Sequence, residues 1–491
     1  MAKRKSIKKK GNREELAKEK FFKLNKKSDE NDASVWFKRG MDTSDPEKKL
    51  ECFKRAYKLN PEFENLLLQM AEVLFQAGKK DEAFELFDMI FAINPDSENA
   101  FLNKGAFLFE DGRDEEALEL YARAVILYPE NDWMWVNRGN SFSRLENYEK
   151  ALECYTRALE IDPEAAETWF SKAGVLNTLD RNEEAIEAYD RGLALNKKIF
   201  EGWVGKGAAL QKLERYEEAL ETYEKALKLN PKCADIWISK ADMLQILKRD
   251  PESLKAYYKA LEIEPDNFYS LLSSARILMR YSKFQDALNY ADAALKCSPK
   301  SLEALKIKGD ANYFLGRHRR ALQAFKKILA ISPKDPEIWI SKGCAANYSG
   351  SFEEAIESFD MAFALGSETS SARAHRAYSL RKLGKYEDAF ENYDRALTLD
   401  PENLNIWDAK GVTYSYLKEY EKALECFDKL LAIRPDDLSA LNNKGTVLYD
   451  LERYEEALEC FNRAFEINPN FQEAKKNRQI IARILKEKKT S

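Results

Sequence analysis

The sequence is poor in the residues that build metal and redox sites. It holds two histidines, His318 and His375, and seven cysteines, which stand singly with no CxxC pair. That excludes a histidine-rich or paired-cysteine metal centre. Three thiols, Cys154, Cys426 and Cys460, fall at the same point of a repeating phrase and read as small core residues in a reducing compartment, the cytoplasm. Glycine and proline are sparse, at 19 and 14, so the chain is neither collagen-like nor a low-complexity linker. No apolar run approaches the ~18 residues of a membrane-spanning helix. The basic start MAKRKSIKKKGNREELAKEK leads into no apolar stretch, which argues against a secretory signal. Phosphate-binding glycine loops, HExxH and GxSxG are missing too. Carboxylates are abundant, but phrases such as EEA open predicted helices, where acids complement the helix dipole. The expectation is a protein without catalytic residues, metal or cofactor.

What the chain does have is a stride. ALECYTRALEIDPE begins at residue 151, ALECFDKLLAIRPD at 423 and ALECFNRAFEINPN at 457, and these starts differ by multiples of 34. Pro95, Pro129, Pro163, Pro231, Pro265, Pro299, Pro333, Pro401, Pro435 and Pro469 keep the same step. Twelve units of 34 residues tile 64–471, and a shortened unit at 33–63 keeps Trp36, Gly40, Phe53, Ala56 and Pro61. Within a unit the fourth position is often Trp (Trp135, Trp169, Trp203, Trp237, Trp339, Trp407) and the eighth is Gly or Ala. The twentieth is Ala except for Ser253, and the twenty-fourth is Phe or Tyr except for Ala291. Self-similarity of this kind overrides counting by domain length. The expected organisation is a basic tail at 1–32, disordered or partly helical, then a repeat array at 33–471, and a capping helix and tail at 472–491.

Apolar residues recur at three- and four-residue spacing across AETWFSKAGVLNTL and NEEAIEAYDRGLAL, so each unit predicts two helices joined by a polar turn. Small residues at positions eight and twenty allow their axes to approach, and the aromatics fill the space beside them. Departures are expected to mark looser joints. Lys197 stands for the proline, Gly192 for the usual Ala, and LGSETSS with Arg373 predicts a bend near 366–371. In the last helix, Ile480, Ile481 and Leu485 form the expected buried side.

This pattern resembles the tetratricopeptide repeat (TPR) family over about nine-tenths of the chain. The resemblance implies an all-α fold: a right-handed α-solenoid superhelix of about 13 helix pairs with a C-terminal capping helix. It also implies that the first helices line a concave groove and that the chain is a non-enzymatic interaction scaffold. The groove candidates follow from helix geometry, because positions five, six, nine and twelve share one face of the first helix. Position six gives Asn103, Asn137, Ser171, Ser239, Ser273, Ser341 and Asn443; position nine gives Asn140; position twelve gives Asn177, Gln211, Gln245 and Asn347. An amide both donates and accepts, so such a row could hold an extended peptide by its backbone. Position nine is often small (Ala106, Gly174, Ala208), and position five is often aliphatic. Some TPR proteins, notably the O-linked N-acetylglucosamine transferase array, carry an asparagine ladder at the place of Asn103, Asn137 and Asn443. Here serines interrupt it. The clamp that TPR proteins use for chaperone tails is incomplete: Asn140 fits, but Val136, Ser171, Glu201 and Gly205 do not.

Charge supplies a competing expectation. Residues 1–27 hold twelve Lys or Arg against three acids, and residues 268–335 hold thirteen against five, although the whole chain carries −5. Arg276, Arg280, Lys306, Arg317, Arg319 and Arg320 are the anion-binding candidates. Their partner would be RNA, a ribosome or another polyanion. Tyr269 and Tyr313 are the few aromatic residues placed there for stacking on bases. Self-association, basic centre to acidic arm, is a further possibility.

Overall fold

The computed structural model describes residues 31–490, so nearly all of the expected N-terminal tail lies outside the described residues. Among the described residues there are 27 helices and no strand. The chain divides into two compact units, one up to Lys248 and one from Arg249 onward. Each is a stack of helix pairs. The first runs from Ala33–Met41 with Pro46–Leu59 to Phe200–Lys212 with Tyr216–Leu229, then Ala234–Ile246. The second begins with Asp250–Ile263, continues from Phe268–Arg280 with Phe284–Cys297 to Leu438–Asp450 with Tyr454–Ile467, and ends in Gln472–Thr490.

Local chemistry sets these boundaries. Several first helices start at a polar cap: the side chains of Ser97, Asn131, Ser301 and Asp437 accept from the N–H three residues on. They end in a turn whose middle residue is left-handed, recurring every 34 residues from Gly78 and Gly112 to Glu452. At Arg113 the N–H then reaches back to the Leu108 carbonyl at 2.8 Å, and at Arg215 to Leu210 at 2.9 Å, the wrap-around bond of a Schellman end. Seven of these left-handed residues are not glycine, Glu146 and Glu214 among them. Each such site costs about 1 kcal/mol, so the flanking bonds, rather than a glycine, impose the turn.

Packing within a pair follows the small-residue rule read from the sequence. A Cβ built on Gly105 would stand 2.3 Å from the Tyr121 ring, one on Gly309 2.5 Å from Phe325, and one on Gly445 2.7 Å from Phe461. Ala117, Ala151, Ala185 and Ala321, at position twenty, are fully buried. Successive repeats are then tied by two bonds that no single-repeat pattern reveals. The tryptophan Nε1 at position four donates to the carbonyl of the residue six before it, as in Trp135 to Pro129 (3.0 Å) and Trp339 to Pro333 (2.8 Å). The recurring lysine at position seven pairs with an acid of the preceding second helix, as in Lys104–Asp88 (2.6 Å) and Lys444–Asp428 (2.6 Å).

The expected loose joints are filled. At Gly192 the space is taken by Phe170, whose ring would lie 2.7 Å from an added Cβ there and 2.4 Å from one on Gly202 of the next repeat. Lys197 keeps the tie without proline, accepting from Trp203 Nε1 at 3.0 Å. Around 366–371, Gly366 is left-handed (φ 88°), but Thr369 caps the next helix and Glu368 pairs with both Arg373 (3.0 Å) and Arg395 (2.9 Å). Arg373 also lies over the Phe363 ring at 4.0 Å, replacing the missing tryptophan with a polar clamp. The last helix spans Gln472–Thr490, and Ile480, expected on its buried side, is 42% exposed. Its buried stripe runs through Ala474, Ile481 and Leu485, with Asn477 bonded to Asn442 at 3.0 Å. Adjacent residues differ by about 100° around a helix, so Ile480 and Ile481 cannot both face inward.

Candidate peptide-binding face

Within each unit, several first helices of successive repeats touch, which brings their positions five, six, nine and twelve toward a common face. Asn103 is exposed, and its amide bonds only its own helix, at the Asn99 carbonyl (2.9 Å). Its neighbours are more engaged. The buried Tyr155 hydroxyl donates to Asn140 at 2.8 Å, and that of Tyr223 to Gln211 at 3.1 Å. The Tyr121 hydroxyl instead donates to the Leu102 carbonyl at 3.5 Å. Burial pushes the Tyr223 hydroxyl up to about 12, with Ser239 beside it opposing the shift. Ser239 itself donates to the Asp235 carbonyl (2.9 Å). Ser171 and Gln245 are half-buried on the same face.

A buried phenol favours a partner, and at Tyr155 and Tyr223, where position twenty-four is Tyr rather than Phe, a facing amide is committed to it. That coupling joins residues fifteen and twelve apart, and the six-nine-twelve pattern alone does not disclose it. In the second unit, Asn347 is 5% exposed, donates to the His375 carbonyl at 2.9 Å and accepts from Ser379. Asn443 donates to Asp408 at 3.1 Å. Ser273 is fully buried, and Ser341 half-buried. Position nine is open in two repeats, at Ala106 and Gly174, but not at Asn140, which Tyr155 uses. Ala106 is exposed, and a Cβ added to Gly174 would meet nothing within 4 Å.

The six basic candidates divide into two sets. Arg276 pairs with Glu303 (2.7 Å), Arg280 with Asp250 (2.9 Å) and Lys306 with Glu337 (3.7 Å). Arg317, Arg319 and Arg320 are exposed, with no acid in the first turn of their helix, and they form no ion pair among the described residues. Beside them Tyr313 and Tyr348 pack with His318 at 5.4 and 5.0 Å. Near Lys306, burial raises the Asp310 carboxyl to about 6, against the opposing pull of that lysine.

Tetratricopeptide repeat models match residues 68–132, 133–164, 166–199, 200–233, 272–336, 370–403, 405–437 and 439–471. The chain belongs to the tetratricopeptide repeat family. The TPR matches leave two longer stretches uncovered between them, 234–271 and 337–369, the second ending in the polar-clamped joint. Solved TPR structures are similar at low identity. YrrB, a TPR protein with an unusual peptide-binding site, is 23% identical over 37% of this chain and 94% of that one, with a TM-score of 0.34. The hetero-tetramer Cut9–Hcn1 of the APC/C gives 16% identity over 91% and 96%, TM-score 0.37. Yeast Tom70 gives 17% over 80% and 96%, TM-score 0.33. No curated protein matches the chain. Among the described residues no helix is long and apolar enough to cross a membrane, and no group of His, Cys, Asp and Glu is placed to hold a metal ion.

Proposed function

We propose that this chain is a non-enzymatic protein-interaction scaffold, in the cytoplasm, that holds an extended peptide or a partner's helix against its first helices. The observation that carries the reading is the open surface at position nine of two repeats, where Gly174 has free space beside it and Ala106 is exposed. Around that surface lie amides that can still bond a backbone, Asn103 foremost, and half-buried aliphatics such as Val136 and Val204. Binding would be spread over many modest contacts rather than one pocket.

The test fills position nine. The triple variant Ala106→Phe, Gly174→Phe and Ala208→Phe should keep its thermal unfolding midpoint and lose the proteins that the wild-type chain retains from source-cell lysate, with or without nuclease. Retention that survives all three phenylalanines overturns the reading.

One observation favours a second reading, an electrostatic partner: Arg317, Arg319 and Arg320 are exposed and unpaired. If it holds, retention follows those arginines rather than Asn103, Asn137 and Asn443, falls with salt between about 50 and 200 mM, and disappears with nuclease when the partner is RNA.

A further inference from the structure

In residues 302–335 two departures from the repeat meet at one place. Position eleven is leucine in most repeats, as at Leu108, Leu176 and Leu210, and here it is Asn312. Position nineteen is commonly the glutamate that pairs with an arginine three residues before it, as in Arg113–Glu116 (2.6 Å), Arg181–Glu184 (2.7 Å) and Arg215–Glu218 (2.6 Å). Here it is Arg320, which sets two arginines, Arg317 and Arg320, where several other repeats set an ion pair.

Both departures border a cavity of about 420 Å³. Its floor is the first helix Leu302–Phe314, through Leu305, Lys308 and Asn312, and its walls are the second helices Phe284–Cys297 and His318–Ile331, through Leu288, Arg320 and Lys327. Asn312 is 1% exposed. Its Nδ2 donates to the Lys308 carbonyl at 2.7 Å, which fixes how the amide is turned and leaves Oδ1 buried without a donor. The leucine of the other repeats leaves no such acceptor, and native structures seldom tolerate one unmade.

The ligand that completes this cavity must bring two groups side by side. Arg320 and Lys327 call for negative charge, whereas Lys308 is already paired with Asp292 at 2.7 Å. Asn312 Oδ1 calls for an N–H or O–H. Acetate or sulfate supplies the charge without the donor. An acidic residue within a polypeptide supplies both, through its carboxylate and main-chain N–H, and its aliphatic neighbours would cover Leu288 and Leu305. We propose that this cavity between second helices is a separate peptide site, which takes an extended acidic segment of a partner protein. The site does not depend on the first-helix face.

The test uses the full chain and a fluorescein-labelled octapeptide of alternating aspartate and leucine, read by fluorescence anisotropy. Asn312→Leu and Arg320→Glu each install the residue that other repeats carry, so both variants should unfold no earlier than the wild type. Each should raise the Kd tenfold or more. N-acetyl-aspartate amide should compete, and acetate at equal ionic strength should not. The proposal is overturned if the wild type does not bind the peptide, if it binds labelled oligouridylate instead, or if both variants bind as the wild type does. It is also overturned if Arg320→Glu weakens binding while Asn312→Leu does not, because that pattern is charge attraction without a site. The phenylalanine triple variant in the other unit should bind the octapeptide unchanged, so either site can fail while the other stands.

Discussion

In residues 200–233 the pair Phe200–Lys212 and Tyr216–Leu229 carries Ala208 at position nine, Leu210 at eleven, and Arg215 paired with Glu218 at 2.6 Å. Three repeats on, residues 302–335 carry Asp310, Asn312, and Arg317 followed by Arg320. Yet the two pairs close in the same way. A Cβ on Gly207 would stand 2.5 Å from Tyr223, and one on Gly309 2.5 Å from Phe325. The contact that makes the repeat is thus kept while the residues around it at positions nine, eleven and nineteen differ. Chemistry can change at nine, eleven and nineteen without loss of the frame, and partner recognition would arise at those positions.

The strongest way to break this comparison is to attack the shared contact. Gly207→Leu and Gly309→Leu should each cost about 1–3 kcal/mol through overpacking against the ring. The loss should be similar in the two repeats and visible as faster hydrogen exchange in the helix pair concerned. An added Cβ alone would already lie 2.5 Å from either ring, so Gly207→Ala and Gly309→Ala should carry part of the same penalty. A large difference between the two variants would mean that the surface residues help to close the pair after all.

The surface positions should separate the repeats by pH instead. Burial raises the Asp310 carboxyl to about 6, whereas its counterpart Ala208 does not titrate. The folded state holds the Asp310 proton more tightly than the unfolded chain does. Stability is therefore greater below about pH 4 and falls as pH rises through 6. Asp310→Asn should remove that fall, a difference on the order of 1 kcal/mol once partial exposure is allowed for. Urea midpoints of the wild type and the variant at pH 4.5 and 7 would show it, and equal pH slopes would count against the burial argument.

How far the sequence discloses such features depends on how far apart the partners lie. The Gly–aromatic contact joins residues sixteen apart inside one unit, and it is visible as columns at positions eight and twenty-four. The same columns mislead about Gly192, because Phe170 fills the space beside it and beside Gly202 of the next repeat. The amides at Asn140 and Gln211 look like an open row, yet Tyr155 and Tyr223 already use them. A periodic reading treats each column alone, and hydrogen bonds link columns. The cavity at Asn312 needs both kinds of information: the break from leucine is visible in the sequence, but the unmet Oδ1 is visible only in three dimensions.

The smallest predicted effect concerns the two ends of residues 200–233. At the far end, Asn230 (φ −133°, ψ 90°) precedes Pro231, whose carbonyl accepts from Trp237 at 3.0 Å. At the near end, Asn196 (φ −139°, ψ 95°) precedes Lys197, whose carbonyl accepts from Trp203 at 3.0 Å. An extended residue before it is what proline requires, and the structure gives the Lys197 N–H no backbone acceptor that proline would remove. Lys197→Pro should therefore stabilise the chain by roughly 0.4–1 kcal/mol, acting mainly by restricting the unfolded state. A rise in the urea midpoint with unchanged slope would confirm that the tryptophan bond alone holds the turn where the proline is missing. A fall would mean that the two turns, alike in their neighbours' backbone angles, differ at residue 197 itself, and that the lysine is needed for a φ that proline cannot adopt.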